Sequence, residues 1–136
     1  MPEQTLFMIK PDAVSRNLIG EIIRRIESAG YRIKDIKMIK FDRKKAERFY
    51  QVHRNEPFFQ PLIDYMISGS SVPMILEGSG VIQGVRALIG STNPADAAEG
   101  TIRKDFALDG RRNSVHASDS PETAAREIAF FFNHSL

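Results

Sequence analysis

The chain contains no cysteine among its 136 residues, which excludes disulfide bonds and thiolate metal sites. It has no long apolar run either. Stretches such as Val72-Pro-Met-Ile-Leu76 fall far short of the roughly 20 residues that span a bilayer. No basic segment followed by an apolar stretch opens the chain, so a cytoplasmic location without a secretory leader is expected. Neither sign of charge dominates: 19 basic residues face 17 acidic ones, a net charge of +2. That balance lacks the clustered basic stripe of a nucleic-acid binder, but it leaves room for a local basic pocket. The two glycine-rich nucleotide motifs, Gly-x-x-x-x-Gly-Lys-Ser/Thr and Gly-x-Gly-x-x-Gly, are absent. If a nucleotide binds, side chains must hold its phosphates.

The length and the 42% hydrophobic content fit a single domain over residues 1–136 with an ordinary core. Thr5 to Lys10 reads as a buried strand closed by Pro11-Asp12, with Lys10 at its end. Ile19, Ile22, Ile23 and Ile26 have helical spacing, and Gly30 follows as a stop. Tyr31 to Phe41 alternates apolar and polar with one slip near Asp35, the pattern of a bulged strand. Asp42 caps a helix with an inner face of Ala46, Phe49, Tyr50 and His53. Pro57 opens a helix over Phe58 to Ile67, Val72 to Glu77 is a continuous apolar strand, and Val81, Ile82, Val85, Leu88 and Ile89 mark a further helix. Gly90 to Asn113 is irregular and polar, as functional segments often are. Ser114 to Ser118 is strand-like. Ser120 and Pro121 open a last helix that buries Ala124, Ala125, Ile128, Phe131 and Phe132. This alternation predicts an α+β sandwich, for example a four-stranded antiparallel sheet with helices on one face.

Three histidines are present. His53 reads as a packed or surface side chain, and His134 as incidental. His116 lies in Asn113-Ser-Val-His116-Ala-Ser118-Asp119-Ser120, among small and polar residues before a helix. Taken alone it is a weak signal and fits a structural role. Glu127 sits beside the apolar stripe of the last helix and could reach His116. A carboxylate on one ring nitrogen fixes the tautomer and frees the other nitrogen to attack. Lys10, Arg86, Arg103 and Arg112 are candidate phosphate ligands, though each could be an ordinary surface charge. Tyr50 and Phe58 are candidate core aromatics by the same reasoning.

Taken together, Phe7-Met-Ile-Lys10-Pro-Asp12, Pro57-Phe-Phe59, Thr92-Asn-Pro-Ala-Asp96, Gly100-Thr-Ile-Arg103 and the His116 segment resemble, in order and spacing, the signatures of the nucleoside diphosphate kinase family. The resemblance runs from Thr5 to about Phe132. It implies a ferredoxin-like βαββαβ fold with additional helices, and ping-pong transfer of a γ-phosphate between nucleoside triphosphates and diphosphates (ATP, ADP, GTP, GDP and others). By matched position, it implies that His116 is the phosphorylated nucleophile and that Glu127 and Ser118 orient its ring. It implies that Lys10, Tyr50, Arg86, Thr92, Arg103 and Asn113 contact phosphate or ribose, and that Phe58, with Leu62 beside it, carries the base. Mg²⁺ is the implied cofactor, held mainly by nucleotide phosphates and water. A homo-oligomer built from dimers is implied as well, with no membrane and no nucleic acid required.

The chemistry agrees with that resemblance. Neutral imidazole, with an ordinary pKa of about 6.5, is a good nucleophile near neutrality. Phosphoryl transfer asks for positioning and charge stabilisation, which arginine forks and a lysine supply. Aromatic stacking tolerates every base, so broad specificity follows. The sequence departs from the family pattern in a few places. Ala117 replaces the usual glycine after the histidine, which could tighten a turn. Gly110 stands where larger residues often face the base. The sequence stops at Leu136, short of the C-terminal extension of many relatives, so no subunit number is implied. An RNA-recognition module on the same kind of sheet would need a Lys/Arg-Gly-Phe-Gly-Phe type strand, and none is present.

Overall fold

Leu6, Phe7, Met8 and Ile9 are all fully buried, which a strand can achieve only with both faces covered. The computed structural model, which describes residues 3–132, shows how. In chain order the elements are β1 (Glu3–Ile9), α1 (Pro11–Ser15), α2 (Ile19–Ser28), β2 (Arg32–Ile36), β3 (Ile39–Lys40) and α3 (Arg43–Phe49), then α4 (Phe59–Met66), β4 (Ser70–Gly78), α5 (Val81–Ile89), α6 (Ile102–Phe106), β5 (Val115–Ala117) and α7 (Pro121–Phe132). The strand order is β2-β4-β1-β5 with every pairing antiparallel, the βαββαβ arrangement that the resemblance implied. The expectation of helices on one face alone is corrected. Phe7 and Ile9 join a core roofed by α2, α5 and α6, through Ile22, Ile26, Val85, Ile89 and Ile102. Leu6 and Met8 point the other way, into a core closed by α3, α4 and α7, through Phe49, Ile63, Met66 and Phe131.

Tyr31 to Phe41 is not one strand. β2 carries its bulge between Ile33 and Asp35, as the slip predicted, but pairing stops at Ile36↔Met74 and resumes in β3 at Ile39↔Ser71. Pro73 explains the gap. Its carbonyl accepts the Lys37 N–H at 3.1 Å, so its missing N–H faces the same side, and the edge strand must step past a position with no donor. β3 is thus a two-residue continuation of the edge beside β4, which makes five strand segments of the predicted four.

The caps form as read. Asp42 accepts from the Lys45 N–H at 2.7 Å, and Ser120 accepts from the Thr123 N–H at 3.1 Å. Ala125 is exposed and not part of the α7 core face, whereas Glu127 is buried there. The 90–113 segment contains two elements that its composition hid, a 3₁₀ turn over Pro94–Asp96 and the short helix α6. Gly90 ends α5 with φ +88°, and a Cβ there would lie 2.7 Å from Thr101 Oγ1, so only glycine lets the loop double back. Among the described residues no helix is long and apolar enough to cross a membrane.

Candidate active site

The end of β1, the strand β5 and the helix α7 converge on one cavity of about 830 Å³. β5 pairs with β1 so that His116 lies opposite Met8 and its ring faces the α3–α4–α7 side. There His116 Nε2 is 2.9 Å from Glu127 Oε1. The same oxygen accepts the Ser118 hydroxyl at 2.8 Å, and Ser118 Oγ accepts from the Leu6 N–H at 3.3 Å. Glu127 is therefore tied to β1 through Ser118. Phe49 packs edge-on against the imidazole at 5.4 Å. With Nε2 taken, Nδ1 is the ring nitrogen left for chemistry.

Around the histidine the cavity is lined by Lys10, Tyr50, Phe58, Leu62, Arg86, Thr92, Arg103, Asn113, His116 and Glu127. Every residue that the resemblance implied for catalysis and nucleotide contact is there except Ser118, which stands behind Glu127. Arg112 is not at the cavity. It is clasped by Asp109 at 2.9 and 2.7 Å and points elsewhere, while Arg111, which sequence alone could not separate from it, lines the space. His53, read as a packed or surface residue, also lines it, its ring 5.2 Å from that of Phe58. His134 lies outside the described residues.

The cations are held by neutral groups. Lys10 Nζ donates to Asn113 Oδ1 at 2.9 Å and to the Arg111 carbonyl at 3.1 Å. Arg103 donates to the carbonyls of Gly90 (3.0 Å) and Val115 (2.9 Å), and Arg86 to that of Ala117 (3.2 Å). Burial, and then the Arg103 guanidinium, push the Lys10 ammonium down to about 7. Burial likewise lowers Arg103 to about 10, with Arg86 adding to the effect. The Tyr50 hydroxyl has no hydrogen-bond partner among the described residues and is raised by burial and by the Glu127 charge, so it stays a donor. Ala117 occupies an ordinary strand position opposite Phe7, not a turn, so its methyl tightens nothing.

One group essential to this geometry escaped the sequence reading. Asp12, buried at the start of α1, accepts from the Ser114 N–H (3.1 Å), the Ser114 hydroxyl (3.0 Å), Arg16 Nη2 (2.8 Å) and the Tyr65 hydroxyl. It holds Ser114 at φ +74°, the bend from which β5 departs toward His116. Its signals were its place three residues after a buried strand and at the end of the Phe7–Asp12 motif, neither of which gave it a role.

A two-sided antiparallel sheet of βαββαβ order that sets a carboxylate-held imidazole beside cations bonded, among the described residues, to neutral oxygens defines a ferredoxin-like α+β class with a pocket for anions. The nucleoside diphosphate kinase model matches residues 3–136, and the chain belongs to that family. A nucleoside diphosphate kinase of Desulfatibacillum aliphaticivorans is 58% identical over 130 residues, covering 96% of this chain and 94% of its own length. That of Archaeoglobus fulgidus is 53% identical over 131 residues, covering 96% of this chain and 87% of its own. The crystal structure of the Aquifex aeolicus nucleoside diphosphate kinase superposes with a TM-score of 0.94 at 44% identity, covering 97% of this chain and 96% of that one.

Proposed function

We propose that the protein transfers the γ-phosphate of a nucleoside triphosphate to a nucleoside diphosphate through a phosphorylated His116. The observation that carries this is the His116–Glu127–Ser118 chain at the floor of a cavity whose cations have, among the described residues, no carboxylate bonded to them. Nδ1 attacks the γ-phosphorus, the bond to the β,γ-bridging oxygen breaks, and the diphosphate leaves with the electron pair. An incoming diphosphate then attacks the phosphorus with a terminal oxygen, and the Nδ1–P bond breaks. Glu127 stabilises the positive charge that develops on the ring as the first bond forms. Lys10, Arg86 and Arg103 offset the charge on the transferred group, Asn113, Thr92 and Tyr50 supply further polar contacts, and Phe58 with Leu62 carries the base.

Mg²⁺ fits as a companion of the nucleotide. Among the described residues no cluster of three His, Asp or Glu could cage a metal. Of the cavity carboxylates, Glu127 is committed to His116 and Ser118, and Asp119, hydrogen-bonded by Thr123, is the one that would face a hydrated ion. When bound, Mg²⁺ would supply charge neutralisation on the phosphates. The single domain spans residues 1–136 in this reading, and the location is cytoplasmic. A homo-oligomer built from dimers is supported by family membership and by the exposed Ile36 and Met38 beside the open edge strand. Light scattering at micromolar concentration should exceed the 15.3 kDa of one chain, and a pure monomer would overturn it.

The direct test of the reaction is incubation with Mg²⁺ and γ-labelled ATP without acceptor. Acid-labile, alkali-stable label that chases into added GDP is expected; absence of label sinks the reading. Glu127→Gln should slow this labelling by about 10²–10³-fold, the effect of removing one electrostatic partner of the transition state. ADP affinity should change little, and its collapse would make Glu127 merely structural.

Lys10 adds a pH signature. Free Lys10 titrates near 7, so it is mostly neutral at pH 8. A bound phosphate favours its charged form, so ADP binding at pH 8 should draw in up to about one proton. Calorimetry in buffers of different ionisation enthalpy reads this directly. Uptake that persists in Lys10→Met would assign the proton to another group.

A further inference from the structure

Exposure grades the cavity from floor to mouth. Lys10 and Arg103 are 6% and 9% exposed, whereas Phe58 is 38% and Val52 72% exposed. A nucleotide whose phosphates reach His116 therefore leaves its base at the mouth, against the Phe58 ring. Gly110 and Arg111 line the same cavity and are both exposed. Gly110 offers no side chain, and a Cβ built on it would meet nothing within 4 Å. Arg111 differs from Arg112 beside it. Its backbone N–H goes to Asp109 and its carbonyl to Lys10, but among the described residues its guanidinium has no hydrogen bond and no ion pair. An uncommitted planar fork of donors on an exposed residue thus lines the cavity beside Gly110 in the chain, within electrostatic reach of Lys10.

We infer that Arg111 reads the edge of the base and biases the site toward 6-oxopurines. This rests on the phosphotransfer reading above. Guanine and hypoxanthine present O6 and N7 as adjacent acceptors, which an arginine fork matches; adenine puts an amino donor at the same place. Pyrimidines have no N7. Phe58 stacking accepts every base, so Arg111 adds a preference to a tolerant platform. At an exposed rim, where water competes, the preference is about 3–10-fold, below that of a buried bidentate contact.

Calorimetric titration with GDP, IDP and ADP tests this without relying on turnover. The wild-type protein should bind GDP and IDP about 3–10-fold more tightly than ADP. IDP lacks the 2-amino group of GDP, so parity between those two assigns the recognition to O6 and N7. Arg111→Met should bring all three to the ADP value. Gly110→Val, which fills the open face without strain, should tighten all three alike and keep the preference. Equal wild-type affinities, a preference that survives Arg111→Met, or an equal loss for all three nucleotides would overturn the assignment; the last would place Arg111 on the phosphates. Failure of every nucleotide to bind would instead overturn the kinase reading itself.

Discussion

His116→Ala should leave no acid-labile label on the protein and should lower turnover by on the order of 10⁴–10⁶-fold, the scale for removing a nucleophile. The expectation is specific because the rest of the site survives the change. Lys10, Arg86 and Arg103 hydrogen-bond to backbone carbonyls and to Asn113, none of them to the imidazole, so ADP affinity should be retained. His116 is only partly exposed, but it stands at a cavity wall and not inside a closed core, so circular dichroism should be unchanged. His53 is the competing imidazole, since it too lines the cavity. Among the described residues it has no carboxylate on either nitrogen, and its ring lies beside Phe58. Label that persists in His116→Ala and disappears only in His53→Ala would refute the assignment.

Asp12→Ala should destabilise the fold by about 2–4 kcal/mol, the scale for leaving two buried donors unsatisfied. The carboxylate is 6% exposed and satisfies donors from α1, α4 and the turn before β5 at once. Its loss strands the Ser114 N–H and hydroxyl, donors on a wholly buried residue. Asp12→Asn keeps an acceptor oxygen and the shape, so it should be milder. Urea unfolding of both variants measures the difference. A loss under about 1 kcal/mol in Asp12→Ala would mean that the backbone at Ser114 is held by other contacts.

The contrast between His116 and Asp12 shows what was legible in the sequence. His116, Glu127 and Lys10 sit at recognisable places, the middle of a polar motif, the edge of a helical stripe and the end of an apolar strand, but each alone fits a structural or surface role, and only the ordered family motifs single them out. The β1 run and the helical stripes at Ile22 and Val85 gave the core in the same way, since periodicity follows directly from burial. What periodicity does not carry is which face a partner covers, so helices on both sides of the sheet could not be read. Nor does it carry pairing: the break in the edge strand depends on Pro73, about 36 residues downstream of it. Asp12 was hidden for the same reason, as its four donors come from three separate stretches of chain. Arg111 and Arg112 are indistinguishable by composition, and only the Asp109 clasp separates them.

The carbonyl-held cations have a further consequence. Lys10, Arg86 and Arg103 crowd together with neutral oxygens as their bonded partners, and burial plus mutual repulsion already depresses Lys10 and Arg103. The empty protein therefore carries a local electrostatic penalty that a polyphosphate removes, and occupancy and folding are linked. Because ligand binding adds RT ln(1 + [L]/Kd) to stability, a nucleotide at about 100 times its Kd raises it by about 2.7 kcal/mol. A bound nucleotide would thus also act as a folding ligand, so that the empty protein is the more easily unfolded form.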